Sequence, residues 1–453
     1  MTARPQWVIL AILFAGVLVA ALDIAIVGPA LSAIGGHYGV GNRALQWVFS
    51  IYVLFYLVGT PLLAKLSDRR GRRALFAGSL ALFAAGSLWV AVAPTFGLLL
   101  AGRALQAFGA GGIFPVASAV IAETVPAQQR GRMLGLIGAV FGIAFLVGPL
   151  LGGLLLEWSW RWLFVINVPI AAVLILLGLK HLPQTTAARP AAFDLLGAVL
   201  LSTALGAVNF GLSQLDTSAL PASLLSWPIW PCMLAVVVAV PLFWRVEKRA
   251  ADPVLHPDLF RSRQIKLAGA IGLAAGLVEA SMVFLPKLAV VGLGVDASAS
   301  SFMMLPLVLT LTVGAPLAGV SLDRFGARIV VQLGLTLTIV GLALFAWLPL
   351  NTATFYASGS LVGFGLSGLL GAPLRYITLE AAGASRRGAG QGLLTLFLSV
   401  GQLVGAALIG GVVASNVSEL GGYRHALLAV AAGCVVALML SAALRGRVSA
   451  QDA

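Results

Sequence analysis

Asp23, Arg103, Glu279 and Arg375 are ionisable side chains set deep in long apolar stretches of this chain. A charge at membrane depth is costly and normally faces a partner or a water-filled cavity. A carboxylate in such a place can bind and release a proton, or it can hold a cation. Asp23 sits in LDIAIVGPAL (22–31), roughly 24 Å along its helix at 1.5 Å per residue. Arg103 enters its own helix from the same side and lies at comparable depth. The two are expected to face one cavity, either as a working pair or as a static ion pair that positions helices. Glu279, in AGLVEASMVFLPK (275–287), has no basic residue within one helical turn. Burial favours the neutral form of a carboxyl group. That suits a proton carrier, with a solvated wall or a hydrogen bond to backbone as the alternative. Gln106, Tyr52 and Tyr56 are the further candidates to line a cavity.

Other chemistries are disfavoured. The four histidines (His37, His181, His256 and His425) all fall near loops, and no zincin motif accompanies them, which argues against an intramembrane enzyme. Cys232 and Cys434 are far apart in apolar runs, so neither a disulfide nor a metal site is implied. There is no GxxxxGK[ST] loop, which argues against direct ATP coupling. No cofactor is expected.

The elements that hold these groups follow from composition. Of 453 residues, 60% are hydrophobic and only 9% charged, whereas about a quarter of a soluble domain is charged. Mean hydropathy is +1.03. Apolar runs occur near 7–34, 44–64, 74–93, 96–122, 131–157, 161–182, 193–215, 224–246, 264–293, 298–321, 329–350, 352–381, 388–415 and 425–444. A span needs about 20 residues, so about fourteen helices are predicted. The first run is long enough to span and reads as a retained helix rather than a cleaved leader. The net charge of +13 sits in short loops, a pattern that argues against nucleic acid. Basic residues crowd alternate loops: Lys65 to Arg73, Arg130 and Arg132, Lys180, Arg245 to Lys266, Arg324 and Arg328, Arg386 and Arg387, then Arg445 and Arg447. The positive-inside rule then places both termini in the cytoplasm of a multi-pass protein of the cell inner membrane.

The chain also repeats. AETVPAQQRGRMLGL (122–136) aligns without gaps on LEAAGASRRGAGQGL (379–393), so that Glu380 follows Glu123, and Gly392 follows Gly135, by the same 257 residues. SDRRGRR (67–73) matches LDRFGAR (322–328), with Asp323 following Asp68 by 255. Six helices end near His181, so the excess offset corresponds to two inserted helices. The expected divisions are an N-terminal six-helix bundle (1–182), two inserted helices (183–250), and a C-terminal six-helix bundle with its linker (251–453). Parallel repeats of this kind are a transporter plan, with the site between the halves.

These features resemble the major facilitator superfamily, over nearly the whole chain. Its signature Gly-x-x-x-Asp-Arg-x-Gly-x-Arg is matched by Asp68, Arg69, Gly71 and Arg73, with Ala64 in the first position. The second copy is complete in Gly319, Asp323, Arg324, Gly326 and Arg328. Arg103, Gln106 and Gly109 match the family's helix 4 motif, with Ala107 in place of a Gly. Gly142, Gly148, Pro149, Gly152 and Gly153 resemble its helix 5 antiporter motif. LDIAIVGPAL, SWRWLFVINVPI (159–170) and FDLLGAVLLSTAL (193–205) are similar to the fourteen-helix drug:proton antiporter branch, with Ala25 and Gly28 replacing a Thr and an Asn of that branch.

The resemblance implies an all-α polytopic membrane protein with the major facilitator fold: two six-helix halves plus two inserted helices. It implies a proton-coupled antiporter that exports hydrophobic compounds, cationic ones among them, by alternating access. Asp23 and Glu279 would carry protons, and Asp23, Arg103, Gln106, Tyr52, Tyr56 and Glu279 would line the substrate cavity. Gating would involve Asp68, Arg69, Gly71, Arg73, Glu123, Arg130, Asp323, Arg324, Arg328, Glu380 and Arg387, with Glu157 and Arg424 meeting outside. Its partners would be a small hydrophobic substrate, protons and the lipid bilayer, with no nucleic acid, and the chain would act as a monomer. A lipid or hydrophobic-metabolite exporter on the same fold is the alternative. A receptor is the less suited reading, because the loops are too short for an output domain.

Overall fold

A computed structural model describes residues 6–184, 194–250, 253, 255–383 and 387–445, with backbone alone at 6, 122, 127–132, 134–139, 141–142, 195 and 387–388. Its described residues form helices and turns without a strand. The first group comprises α1 (Gln6–Tyr38), α2 (Asn42–Arg70), α3 (Arg72–Val92), α4 (Phe96–Thr124), α5 (Ala127–Leu156), α6 (Trp162–Val165) and α7 (Asn167–His181). Next come α8 (Leu195–Ser213), α9 (Leu220–Leu224) and α10 (Trp230–Glu247). The last group comprises α11 (Arg263–Leu293), α12 (Ala297–Phe302), α13 (Leu305–Phe325), α14 (Ala327–Trp347), α15 (Thr352–Leu370), α16 (Ala372–Ala382), α17 (Arg387–Ala414) and α18 (Glu419–Ser441). Among the described residues, thirteen helices are long and apolar enough to cross a membrane, and α5 adds the shorter apolar stretch Ile143–Leu156. The chain is a multi-span membrane protein.

Three of the expected spans are broken, each for the same reason. A proline lacks the N–H that would bond the carbonyl four residues back, and its ring crowds that carbonyl. Pro169 thus addresses Val165, where α6 ends. Pro306 addresses Phe302, where α12 ends, and Pro373 addresses Leu369, beside the end of α15. The run expected from 224 starts as a helix only at Trp230, because 217–229 form a 3-10 turn, the short α9 and a turn through Pro228. Prolines 29, 61, 115, 149, 286 and 316 instead sit inside unbroken helices, which membrane-spanning helices packed among neighbours tolerate.

The two groups pair their helices alike. α1 packs on α5 as α11 packs on α17, and α4 lies against α2 and α3 as α15 lies against α13 and α14. α7 closes on α3 as α18 closes on α14. The α11–α17 contact is made backbone to backbone. A side chain at Gly276 would stand 2.0 Å from the Leu398 carbonyl oxygen, and one at Gly401 would stand 2.1 Å from that of Leu273.

The apolar packing distinguishes the two ends of the bundle. One body of buried residues runs from Ile26–Ile34 of α1 and Leu45–Val53 of α2 directly into α11, α13 and α17 of the other group. It joins the groups at the end where α2 begins. At the end carrying the basic loops 65–73 and 324–328, the first group keeps a separate core of its own, around Leu13, Phe76, Phe83, Ile113 and Val120. The outward faces carry apolar side chains such as Leu176, Val237 and Trp347, which are mostly exposed as lipid-facing residues are.

The glycine contacts make a direct prediction. Gly276→Ala is expected to lower stability by about 1–3 kcal/mol, since backbone must move to admit one methyl group. Gly319→Ala in α13, where nothing lies within 4 Å of the added carbon, is expected to be neutral or stabilising by about 0.5 kcal/mol. Thermal unfolding of the two variants in detergent measures the contrast.

Candidate functional site

Five helices converge on one carboxylate. Asp23, on α1, accepts from Arg103 Nη1 at 2.6 Å on one oxygen. Its other oxygen accepts from Gln106 Nε2 at 2.7 Å and from Asn167 Nδ2 at 3.2 Å. Gln106 Nε2 also lies 2.7 Å from Ser87 Oγ of α3, and Ser87 in turn donates to the Phe83 carbonyl. Arg103 donates through Nε to the Val48 carbonyl of α2 and through Nη1 to Gln106 Oε1. Asp23, Arg103, Gln106 and Ser87 are all 0% exposed. The guanidinium stands over the Tyr52 ring at 4.3 Å and near Phe164 at 5.6 Å. An aromatic face attracts a desolvated cation, which suits the Nη2 atom, buried and without a hydrogen-bond acceptor. Tyr52 stacks on Tyr56 with centroids 6.4 Å apart.

Close helix approach brings these groups together. A side chain at Gly86 of α3 would overlap the Gln106 backbone nitrogen at 2.3 Å. Only glycine there lets α3 and α4 come near enough for Ser87 and Gln106 to bond. The network lies wholly within the first group, packed shut. Sequence reasoning paired Asp23 with Arg103 but did not single out Ser87, Asn167 or the Val48 carbonyl. Asn167 was visible in the SWRWLFVINVPI stretch as a polar residue three positions before its end, in a run of aromatics and β-branched residues.

Glu279 occupies the other group, half-buried on α11 one turn from Gly276. Gln402 of α17 donates to its Oε2 at 3.1 Å, and Arg375 of α16 is near enough to interact with it electrostatically. Gln391 ties α17 to the same region by donating to the Arg375 carbonyl and to Thr378.

At the basic end, Gly71 links α2 to α3 with φ +94°, and Gly326 links α13 to α14 with φ +81°. Side chains with a Cβ rarely adopt this backbone. Asp68 pairs with Arg72 Nη1 at 2.5 Å, Arg72 Nε reaches Glu123 Oε1 at 3.1 Å, and Nη1 also donates to Ser67 Oγ. The clasp is therefore built on Arg72. Arg69 is exposed, and Arg73 is half-buried with its Nε unpartnered. In the second copy, Asp323 and Glu380 are exposed and line a cavity of about 260 Å³ with Gln264, Tyr376 and Arg445. Arg324 stands over its neighbour Phe325 at 5.2 Å, and Arg328 is half-buried. The side chains of Arg130 and Arg387 lie outside the described residues.

At the opposite end, Glu157 is exposed at the end of α5, while Arg424 donates to the Leu348 carbonyl at 3.2 Å. The polar contact that crosses between the groups there is made by other residues. Asn42 of α2 donates to Glu419 at 2.8 Å and accepts from Lys287, which itself pairs with Glu419 at 3.3 Å. The α5 motif forms a second crossing. Gly148 faces Ala25 of α1, and Gly152 and Gly153 face Ser301 and Phe302 of α12. Ser301 donates to the Pro149 carbonyl and Ser298 to that of Gly153. Gly142 lies in α5 in the part where only backbone is described.

The family model described as Major Facilitator Superfamily matches residues 13–309 and 267–452. The chain is 35% identical to the MFS-type transporter YfiU of Bacillus subtilis, over 90% of this chain and 79% of that protein. It is 29% identical to the multidrug resistance protein Stp of Mycobacterium tuberculosis (88% and 74%). It is 32% identical to a triacylglyceride transporter of Mycolicibacterium smegmatis (87% and 73%). Among solved structures, a bacterial homologue of the human lysosomal transporter Spinster, in an inward-facing and occupied conformation, superposes with a TM-score of 0.70 at 14% identity, covering 97% of each chain.

Removing one partner of a buried ion pair leaves an uncompensated charge, which costs about 3–5 kcal/mol. Asp23→Leu and Arg103→Leu are each expected to lose stability on that scale. The double variant should lose less than the two singles together, by more than about 1 kcal/mol. Unfolding of the four proteins in detergent measures this cycle, and additive losses would show the pair to be uncoupled.

Proposed function

We propose that this chain, which belongs to the major facilitator superfamily, is a proton-coupled antiporter that exports hydrophobic, including cationic, compounds. It is a transporter and not an enzyme, and relatives at 28–29% identity are named as multidrug resistance proteins or as a multidrug transporter protein. Coupling to protons is the finer part of the reading, and one observation carries it. Glu279 is a carboxyl in a membrane-spanning helix with a single neutral amide, Gln402, donating to it. Protonation removes its charge and so lowers the cost of sealing it from water. A cationic substrate can neutralise the same charge, so that proton and substrate compete for one site.

The orientation follows the positive-inside rule. With the basic loops and both termini in the cytoplasm of an inner-membrane protein, the contacts at Asn42, Lys287 and Glu419 close the outer side. The chain then faces inward, ready to load cargo from the cytoplasm. Opening outward lets a proton reach Glu279 and expel the cargo, and the neutral carboxyl permits return. Asp23, clamped by Arg103, Gln106 and Asn167, contributes by holding α1, α4 and α7 in register while they move as one body. In this reading the pairs at Asp68, Arg72 and Glu123 rearrange as the cytoplasmic side closes.

A second reading has a specific basis, the relative named as a triacylglyceride transporter. A lipid exporter would share the fold and lack the pH response.

The test is efflux from proteoliposomes of defined orientation, with a panel of cationic and neutral dyes and a labelled triacylglycerol, against external pH. Wild type is expected to export cationic dyes faster as the external side is acidified. Glu279→Gln is expected to retain downhill exchange, lose the pH response, and weaken cationic more than neutral substrates. Identical pH profiles for wild type and variant would remove Glu279 from coupling. Export of the triacylglycerol alone, independent of pH, would establish the lipid reading instead.

A further inference from the structure

The inserted helices touch both groups, but not in the same way at the two ends. About one turn before the end of α8, Asn209 is 1% exposed. Its Nδ2 donates to Ser50 Oγ of α2 at 3.0 Å and to the Leu403 carbonyl of α17 at 2.9 Å. Ser50 passes the chain on by donating to Gln46 Oε1 at 2.6 Å. One carboxamide of the inserted segment thus bridges the two groups.

The attachment to the last group is the firmer of the two. The end of α8 lies on bare backbone of α17, since a side chain at Gly411 would stand 2.8 Å from the Leu212 carbonyl oxygen. Just beyond α8, Thr217 bonds Ser415 through its backbone N–H at 3.2 Å and its hydroxyl at 2.7 Å. At the basic end, Phe243 of α10 shares a core with Leu255, Leu259, Ile265 and Leu393. Every one of these partners leads into or belongs to the last group. Leu255 is further tied by its N–H to Glu247 at 3.0 Å. Against the first group, α8 has the Ser50 hydroxyl and ordinary contact, such as Gly206 facing Leu54 at 3.7 Å. Asp216 lies near Arg43 of α2, at the surface.

We infer that the inserted helices travel with the C-terminal group, and that the Asn209–Ser50 hydrogen bond is a latch that must break when the end opposite the basic loops opens. Two atoms of this network, Asn209 Oδ1 and Gln46 Nε2, are buried without a partner. Unpaired buried amide groups weaken the state that holds them, so the latch biases the closed state while remaining releasable. The inference rests on the two-state transport proposed above, and on neither the proton nor the substrate.

Pulsed electron spin resonance distances in the full-length protein, in lipid, with Cys232→Ser and Cys434→Ala, test it without substrate or gradient. Spin labels go on Trp158, Val417 and Trp227, three exposed positions at that end on the first group, the last group and the inserted segment. The 158–417 and 158–227 distances are expected to lengthen together, while 417–227 stays fixed. Asn209→Leu and, separately, Ser50→Ala should each raise the open-to-closed ratio roughly three- to tenfold, the shift expected from one lost hydrogen bond. Ser50→Thr keeps the hydroxyl and should leave the ratio at the wild-type value. Lengthening of 417–227 with 158–227 fixed would place the inserted pair on the first group and overturn the inference. A lower melting temperature with no change of ratio would reduce Asn209 to a structural tie and overturn the latch. Because nothing is transported in this measurement, its failure is separate from failure of the drug:proton reading.

Discussion

The Asp23–Arg103 ion pair is the interaction on which the first half of the molecule depends. Two full charges, both wholly removed from water, can persist only where nearly every lone pair and N–H is answered by a fixed partner. The answers come from α1, α2, α3, α4 and α7. None of those helices can shift without breaking a buried hydrogen bond of the network, and for α1, α2, α4 and α7 the bond is to a charge in a low-dielectric interior, where the penalty is largest. The Tyr52 face completes the arrangement around the guanidinium. Among the described residues, the second group has no fully buried salt bridge of this kind. Its corresponding helices are held by glycine-mediated backbone contact at Gly276 and Gly401, with a lone acid, Glu279, nearby. Equivalent helix pairing therefore rests on two different physical devices, one polar and rigid, the other steric and dry. The proton-coupling proposal places its titrating group in the second of these settings.

Much of the architecture was legible in the residues. Span length and apolar content locate most helices, because a bilayer leaves the backbone few other solutions. The Asp23–Arg103 partnership was legible as well, since two isolated opposite charges at similar depth have few places to go. The helix breaks before Pro169, Pro306 and Pro373 were not read from the sequence, because other prolines in this chain leave their helices intact and only the packing around each decides. Ser87, Asn167 and Asn209 escaped notice for a related reason. Neutral polar residues are common in transmembrane helices, and their significance lies in what faces them from other helices: Gln106 for Ser87, Asp23 for Asn167, Ser50 for Asn209. The basic clasp illustrates the limit of motif reading. Arg69 and Arg73 fit the signature, yet Arg72, at a variable position, makes the ion pairs, because only its direction from the Gly71 turn brings it over Asp68 and Glu123. At the far end, Glu157 and Arg424 have opposite charges, but Lys287, Asn42 and Glu419 hold the crossing. Sequence position says little about azimuth around a helix when both faces are apolar.

The two ends of the bundle are also built from different materials. Where α2 begins, a continuous apolar core passes from one group to the other, reinforced by α12 seated on the glycines of α5. At the basic end, the first group's core is closed upon itself, and charged side chains dominate the surface. Apolar contact of the first kind is non-directional and tolerates small rotations. Charged loops of the second kind are hydrated and easily parted.

This distribution of contacts has a mechanical consequence. The helices that join the groups are long, and α1, with 33 residues, reaches about 50 Å from end to end at 1.5 Å per residue. If the groups rock about the joined tip, as the transport proposal requires, each half is a lever whose full length is the arm. A tilt of one degree about the joined end then swings the far tip by roughly 0.9 Å. Motions that barely disturb van der Waals contacts at the fulcrum thus sweep distances comparable to a side chain at the other tip, and stiffness inside each half converts directly into reach.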